Sequence, residues 1–181
     1  MQGVFLDRES LDRGDLDFSD LDRVLPGLRC YPATAPAEVA ARLAEAEVVI
    51  SNKVVLDAAA LERAPRLKLI CVAATGVNNV DLPTAAIRGI TVCNCRGHVT
   101  PAVVQHVFAL LLALCTRCPE YQQAVRAGRW QRASQFCLLD FPICELAGKT
   151  LGVVGYGELG QGVARVAEAF GMRVLIAQRP G

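Results

Sequence analysis

The residue types best suited to chemistry lie in Gly155-Tyr156-Gly157-Glu158-Leu159-Gly160. This G-x-G-x-x-G run directly follows the apolar segment Leu151-Gly152-Val153-Val154 and precedes a helical pattern, after which a second apolar segment, Arg173–Ala177, begins. In a strand, turn and helix setting the three glycines have separate tasks. Gly155 permits the tight turn, Gly157 lets the main chain approach a diphosphate with no Cβ in the way, and Gly160 lets the helix sit close on the strand. The first N–H groups of the helix are then free to hold phosphate, so a dinucleotide is the expected ligand; a purely structural turn is the alternative. The end of the second strand carries Gln178 and Arg179. A neutral amide there does not repel a 2′-phosphate and a guanidinium can pair with one, so NAD and NADP both stay open, as does a solvated turn role for Arg179.

A second constellation is Val72-Ala73-Ala74-Thr75-Gly76-Val77-Asn78-Asn79-Val80-Asp81-Leu82. A buried strand runs into a turn containing Gly76, and Asp81 is placed to cap the next helix. Ligands in open parallel sheets collect beyond strand carboxyl ends, which is where this turn and Ser51-Asn52-Lys53 both fall. Consecutive N–H groups around Gly76 suit a carboxylate; a plain strand-to-helix connection suits the sequence equally.

Cys93-x-Cys95 and Cys115-x-x-Cys118 have the spacing of a four-thiolate zinc site. Against a metal, Cys93 ends a strand and Cys115 lies in an apolar helix, so buried thiols are expected. His106 follows Gln105 on that helix and reads as a packed structural residue, while His98 sits in the turn Arg96-Gly97-His98 with no acid nearby in sequence.

The elements that must position these residues alternate between β-branched runs and alanine-rich helical stretches, the pattern of parallel sheets flanked by helices in an α/β protein. The expected strands are Gly3–Leu6, Leu28–Tyr31, Val48–Ser51, Leu67–Ala73, Ile90–Asn94, Leu151–Val154 and Arg173–Ala177. The expected helices are Pro36–Ala46, Asp57–Ala64, Asp81–Arg88, Pro101–Arg117 (with Thr100 as its N-cap) and Leu159–Phe170. Pro119–Gly148, rich in turn residues, is expected to run over the surface or at an interface. Charge is balanced, 19 Lys+Arg against 18 Asp+Glu with the 16 arginines scattered, which argues against nucleic acid or an anionic membrane as partner. The amino terminus lacks the pattern of a secretory signal, and Val103–Cys115, about 13 residues, is too short to span a bilayer, so a cytoplasmic protein is expected.

The ordered set Ala74-Thr75-Gly76-Val77-Asn78-Asn79-Val80-Asp81, Gln105-His106, Gly128-Arg129-Trp130, Glu145-Leu146-Ala147-Gly148-Lys149-Thr150 and the glycine run resembles the D-isomer-specific 2-hydroxyacid dehydrogenases, in particular their glycerate dehydrogenase or hydroxypyruvate reductase branch. The resemblance implies two Rossmann-like parallel-sheet lobes. The first, residues 1–98, is flavodoxin-like, nearly complete and binds substrate; the second, 99–181, is the start of the NAD(P)-binding lobe. It further implies that Thr75 lies near the nicotinamide, that the Gly76 and Val77 N–H groups hold the substrate carboxylate, and that Asn52 and Lys53 border the same cleft. Tyr156, Gly157, Glu158, Leu159 and Gly160 cradle the diphosphate after the Gly155 turn, with Gln178 and Arg179 facing the adenosine ribose. The implied reaction is hydride transfer between NAD(P)H and a small 2-keto or 2-hydroxy acid, hydroxypyruvate and D-glycerate being the favoured pair, in a homodimer. The family's catalytic Arg, Glu and His are expected beyond Gly181, and neither histidine here matches that His. The chain by itself is therefore expected to be inactive, a fragment of a protein of roughly 300 residues, or else a nucleotide-binding or dimerisation module.

Overall fold

Five short apolar runs in the first 95 residues become five parallel strands because each is followed by a helical stretch long enough to return the chain to the same edge. The computed structural model describes residues 1–177; Gln178 and Arg179 lie outside the described residues. The chain divides into two compact units, Met1–Arg96 and Gly97–Gly181.

In the first unit, strands β1 (Gly3–Phe5), β2 (Arg29–Cys30), β3 (Val48–Ser51), β4 (Leu69–Val72) and β5 (Thr91–Asn94) form one sheet in the order β2-β1-β3-β4-β5. Every pairing is parallel, and β3, at the centre, is buried along its whole length. Helices α1 (Ser19–Val24), α2 (Val39–Leu43), α3 (Ala58–Glu62) and α4 (Leu82–Ile87) connect the strands. One sheet face packs Val4, Val49, Ile70 and Val72 against Leu43, Leu61 and Ala85 from these helices. Asp57 and Asp81 cap α3 and α4 by accepting the Ala60 and Thr84 amides at 2.8 and 2.9 Å, each satisfying an otherwise orphaned N–H.

In the second unit, α5 (Thr100–Cys115), α6 (Cys118–Arg126) and α7 (Glu158–Ala169) accompany a parallel pair, β6 (Thr150–Val154) with β7 (Arg173–Ala177). Its core is Val104, Phe108, Leu146, Ala167 and Met172, and the rings of Phe108 and Phe170 stack 5.4 Å apart. Among the described residues no single helix is long and apolar enough to cross a membrane.

Several expectations are corrected. Pro36–Ala46 is not one helix: a single 3-10 turn, Pro36–Glu38, precedes α2, which ends at Leu43. The Pro101–Arg117 helix stops at Cys115, because Pro119 has no N–H and its ring would strike the carbonyl four residues back. Arg117 takes up a left-handed conformation (φ 54°), and α6 leaves at 60° to α5, so the surface excursion starts with a helix. Thr100 is inside α5 rather than its N-cap, and its hydroxyl donates to Glu158 Oε1 at 2.6 Å. His106 is exposed, not packed: α5 buries the stripe of Val104 and Phe108, and His106 lies between them on the far side. Cys93 is exposed because β5 is the sheet edge. Helix α1 was not anticipated from the sequence.

Candidate functional site

The glycine run forms a corner between β6 and α7. Gly155 turns with φ 92°, a conformation that other residues seldom adopt. At Gly160 an added Cβ would stand 2.1 Å from the Gly155 carbonyl oxygen and 3.3 Å from Val153, so the helix approaches the strand as closely as a residue without a side chain allows. Gly157, extended at φ −78° and ψ −163°, has open space where a Cβ would point. Its amide and those of Glu158, Leu159 and Gly160 have no protein acceptor among the described residues; the ladder of α7 begins only with Gln161 N–H to the Gly157 carbonyl. Free donors at the positive end of a twelve-residue helix, beside an unfilled space, fit a diphosphate. The one acid of that first turn, Glu158, is engaged by Thr100.

In the first unit, Thr75 and Gly76 are exposed and Val77 is half-buried, in the turn leaving β4. The Gly76 and Val77 amides have no acceptor among the described residues either. Two side-chain amides tie this turn to its neighbours: Asn94 Nδ2, from β5, donates to the Thr75 carbonyl at 2.7 Å, and the turn's own Asn79 Nδ2 donates to the Val54 carbonyl at 3.1 Å. Gly76 has no positive φ, and an added Cβ would approach only the end of the exposed Asn78 side chain, Oδ1 at 3.0 Å.

The β3 turn is organised by a residue that the sequence reading missed. Asp7, at the end of β1 and only 5% exposed, accepts the amides of three successive residues, Asn52 at 2.9 Å, Lys53 at 2.6 Å and Val54 at 3.3 Å. The signal was available as an acid ending the apolar run Val4-Phe5-Leu6-Asp7, but its partners are 45 residues away. The Asn52 side chain is buried and donates to Ser10 Oγ at 3.0 Å, while Lys53 is exposed. Beside them a hollow of about 490 Å³ opens, lined by Asp7, Ser10, Pro32, Lys53 and Val54. It lies beyond the carboxyl ends of β1 and β3, where the strand order reverses and doubly wound sheets accept ligands.

Cys71, the register partner of Cys93, has its thiol pushed up by burial and then by Cys93 and Cys95, which keeps it protonated and a poor nucleophile. Among the described residues no group of three or more His, Cys, Asp or Glu is gathered as metal ligands.

The family model of the D-isomer specific 2-hydroxyacid dehydrogenase catalytic domain matches residues 10–170. This chain belongs to the D-isomer specific 2-hydroxyacid dehydrogenase family. Among curated members, it is 44% identical over 173 residues to a glycerate dehydrogenase of Methylorubrum extorquens, covering 95% of this chain and 54% of that protein. It is 37% identical over 178 residues to a hydroxypyruvate reductase of Blautia hydrogenotrophica, covering 97% and 55%. The chain thus spans about half the length of these dehydrogenases. Among solved structures, a Thermus thermophilus protein matches with TM-score 0.78 and 34% identity, over 100% of this chain and 57% of its own. A D-lactate dehydrogenase from Aquifex aeolicus, complexed with NAD and lactic acid, matches with TM-score 0.76 and 28% identity, over 98% and 52%. Parallel sheets with helical connections are thus the fold of this family member, as its sequence pattern implied.

Proposed function

We propose that this dehydrogenase chain carries the substrate-recognising and diphosphate-recognising parts of an oxidoreductase acting on a small 2-keto or 2-hydroxy acid with NAD or NADP, the acid being hydroxypyruvate or D-glycerate. The observation that carries the proposal is the bare amide corner at Gly157–Gly160 in a member of this family. The names of the glycerate dehydrogenase and hydroxypyruvate reductase relatives support the substrate, and NAD in the Aquifex enzyme supports the cofactor. When bound, the nicotinamide cofactor supplies or accepts a hydride.

The chain's own residues bind and orient. In this proposal the substrate lobe is 1–98 and the nucleotide lobe begins at 99. The amides of Tyr156, Gly157, Glu158, Leu159 and Gly160 hold the diphosphate, with Gly155 making the turn; Gln178 and Arg179 meet the adenosine ribose. Gly76 and Val77 donate their N–H groups to the substrate carboxylate, Thr75 stands at the nicotinamide end, and Asn52 and Lys53 border the acid, with the Lys53 ammonium adding attraction for an anion. Fixing the carboxylate fixes the carbonyl, which is how positioning lowers the barrier. Proton exchange with the substrate oxygen is assigned to no residue of this chain, so the 181 residues alone bind nucleotide without turnover, in the cytoplasm.

A second reading, a dimerisation module, is supported by exposed apolar side chains in the second unit: Leu110 and Leu114 on α5, then Trp130, Phe136, Leu139 and Ile143. In either reading a homodimer is the proposed assembly. Fluorescence titration of the purified chain with NADH and NADPH, followed by an assay of hydroxypyruvate-dependent oxidation, separates these. Saturable binding without turnover is expected; sustained turnover overturns the assignment of chemistry elsewhere, and absence of binding overturns the diphosphate corner.

A further inference from the structure

The second unit holds a pair of thiols that neither the nucleotide corner nor the substrate turns use. Cys115 closes α5 and is half-buried against the core of Phe108, Leu146 and Met172; Cys144 is exposed and lies two residues before Leu146. The Cys144 N–H donates to the Cys115 carbonyl at 2.9 Å. A direct main-chain bond of this kind holds two α-carbons within the roughly 4.4–6.8 Å that a disulfide bridges. Hydrogen bonding with the Cys144 thiol is the first cause that pushes the Cys115 thiol above its ordinary value, followed by burial, while Arg117 and Lys149 pull weakly the other way.

The other close pair, Cys71 with Cys93, is constrained differently. Those residues are register partners in adjacent parallel strands, whose side chains stand side by side out of the sheet. Turning the two sulfurs toward each other there strains the ladder on both strands. Cys144 belongs to no helix or strand, so its main chain can adjust. Cys118 is three residues from Cys115 but lies across the left-handed Arg117 at the start of α6.

We propose that Cys115 and Cys144 form a peroxide-oxidisable dithiol whose disulfide pins the segment entering β6 to the end of α5. The Cys144 thiolate, exposed, attacks one peroxide oxygen; the O–O bond breaks, the other oxygen leaves as hydroxide and takes a proton to become water, and Cys144 becomes a sulfenic acid. The Cys115 sulfur then attacks the Cys144 sulfur, the S–O bond breaks, and the hydroxyl leaves with the Cys115 proton as a second water. Two thiols lose two electrons and the peroxide gains them. Cys115 acts second because it is half-buried whereas Cys144 is open to peroxide, and proximity makes that step intramolecular. The disulfide is independent of the proposed hydride chemistry.

The test is peptide mapping of the 181-residue chain after brief hydrogen peroxide treatment, under non-reducing conditions, with and without later reduction by a dithiol. A dominant Cys115–Cys144 cross-linked peptide that reduction removes is expected. With it, the thermal midpoint should rise on the order of 10 °C, since the link closes a long loop in the unfolded chain; C144S should show no such rise. Cross-links mainly at Cys71–Cys93 or Cys115–Cys118, or oxidation with no cross-link, overturn the proposal. The wild-type peptide map decides even if C144S folds poorly.

Discussion

Gly157 and Gly160 stand three residues apart and are glycine for opposite reasons. At Gly160 the protein itself fills the space a side chain would take, whereas at Gly157 the space is open and only a ligand would contest it. The substitution Gly157→Val is therefore expected to leave the thermal midpoint nearly unchanged and to weaken NAD(P)H binding by about tenfold or more, roughly 1.4 kcal/mol. Fluorescence titration beside a thermal melt checks this, and equal losses in both would mean a structural role. Asp7 has the reverse profile. Its buried carboxylate accepts three amides, and Asp7→Ala leaves the donors at Asn52 and Lys53 without their acceptor, while the Val54 N–H keeps Ser51 Oγ at 3.1 Å. A loss of about 3 kcal/mol in urea denaturation is expected, since unsatisfied buried groups formerly bonded to a charge cost about that much. The glycines were readable in sequence because their tasks are local; Asp7 was not, because its role is made by residues 45 to 47 positions away.

At the scale of elements, the α5–α7 contact tests packing against propensity. Gly162 lies inside α7, where replacing glycine by alanine ordinarily gains about 1 kcal/mol of helix propensity. Here the new Cβ would stand 2.8 Å from Val104 Cγ2 and 3.2 Å from Thr100 Cγ2, both on α5. Overpacking of this kind costs about 1–3 kcal/mol, so Gly162→Ala is expected to be neutral to destabilising by about 2 kcal/mol, against the propensity scale. Chemical denaturation reads the sign; a clear gain in stability would show that the helices part freely. The strand positions were legible because β-branched runs and helical stretches alternate so regularly. The end of α5 was legible to within two residues, since the expected helix stopped at Arg117 before Pro119, whereas α6 was hidden in a segment that turn residues marked as a surface excursion. Propensity could not show that Thr100 serves as a donor to Glu158, a pairing 58 residues apart.

For the whole molecule, the two units differ in how their strands are supported. A central strand with neighbours on both sides, such as β3, exchanges its amides only on extensive opening, whereas two paired strands are marginal by themselves. Native-state hydrogen exchange is accordingly expected to protect β3 and β4 by orders of magnitude more than β6 and β7; equal protection would show that the second unit is as cooperative as the first. Sequence alone determined the α/β class, the strand count in each half, the helix cap at Asp81 and the family, because these follow from periodicity and short motifs that neighbouring residues settle among themselves. Tertiary structure alone decided that the Cys144 main chain bonds to Cys115, which carboxylate holds the β3 turn, and that His106 and Cys93 face solvent. Those outcomes depend on which faces another element covers, and burial of that kind is a property of chain segments far apart in sequence.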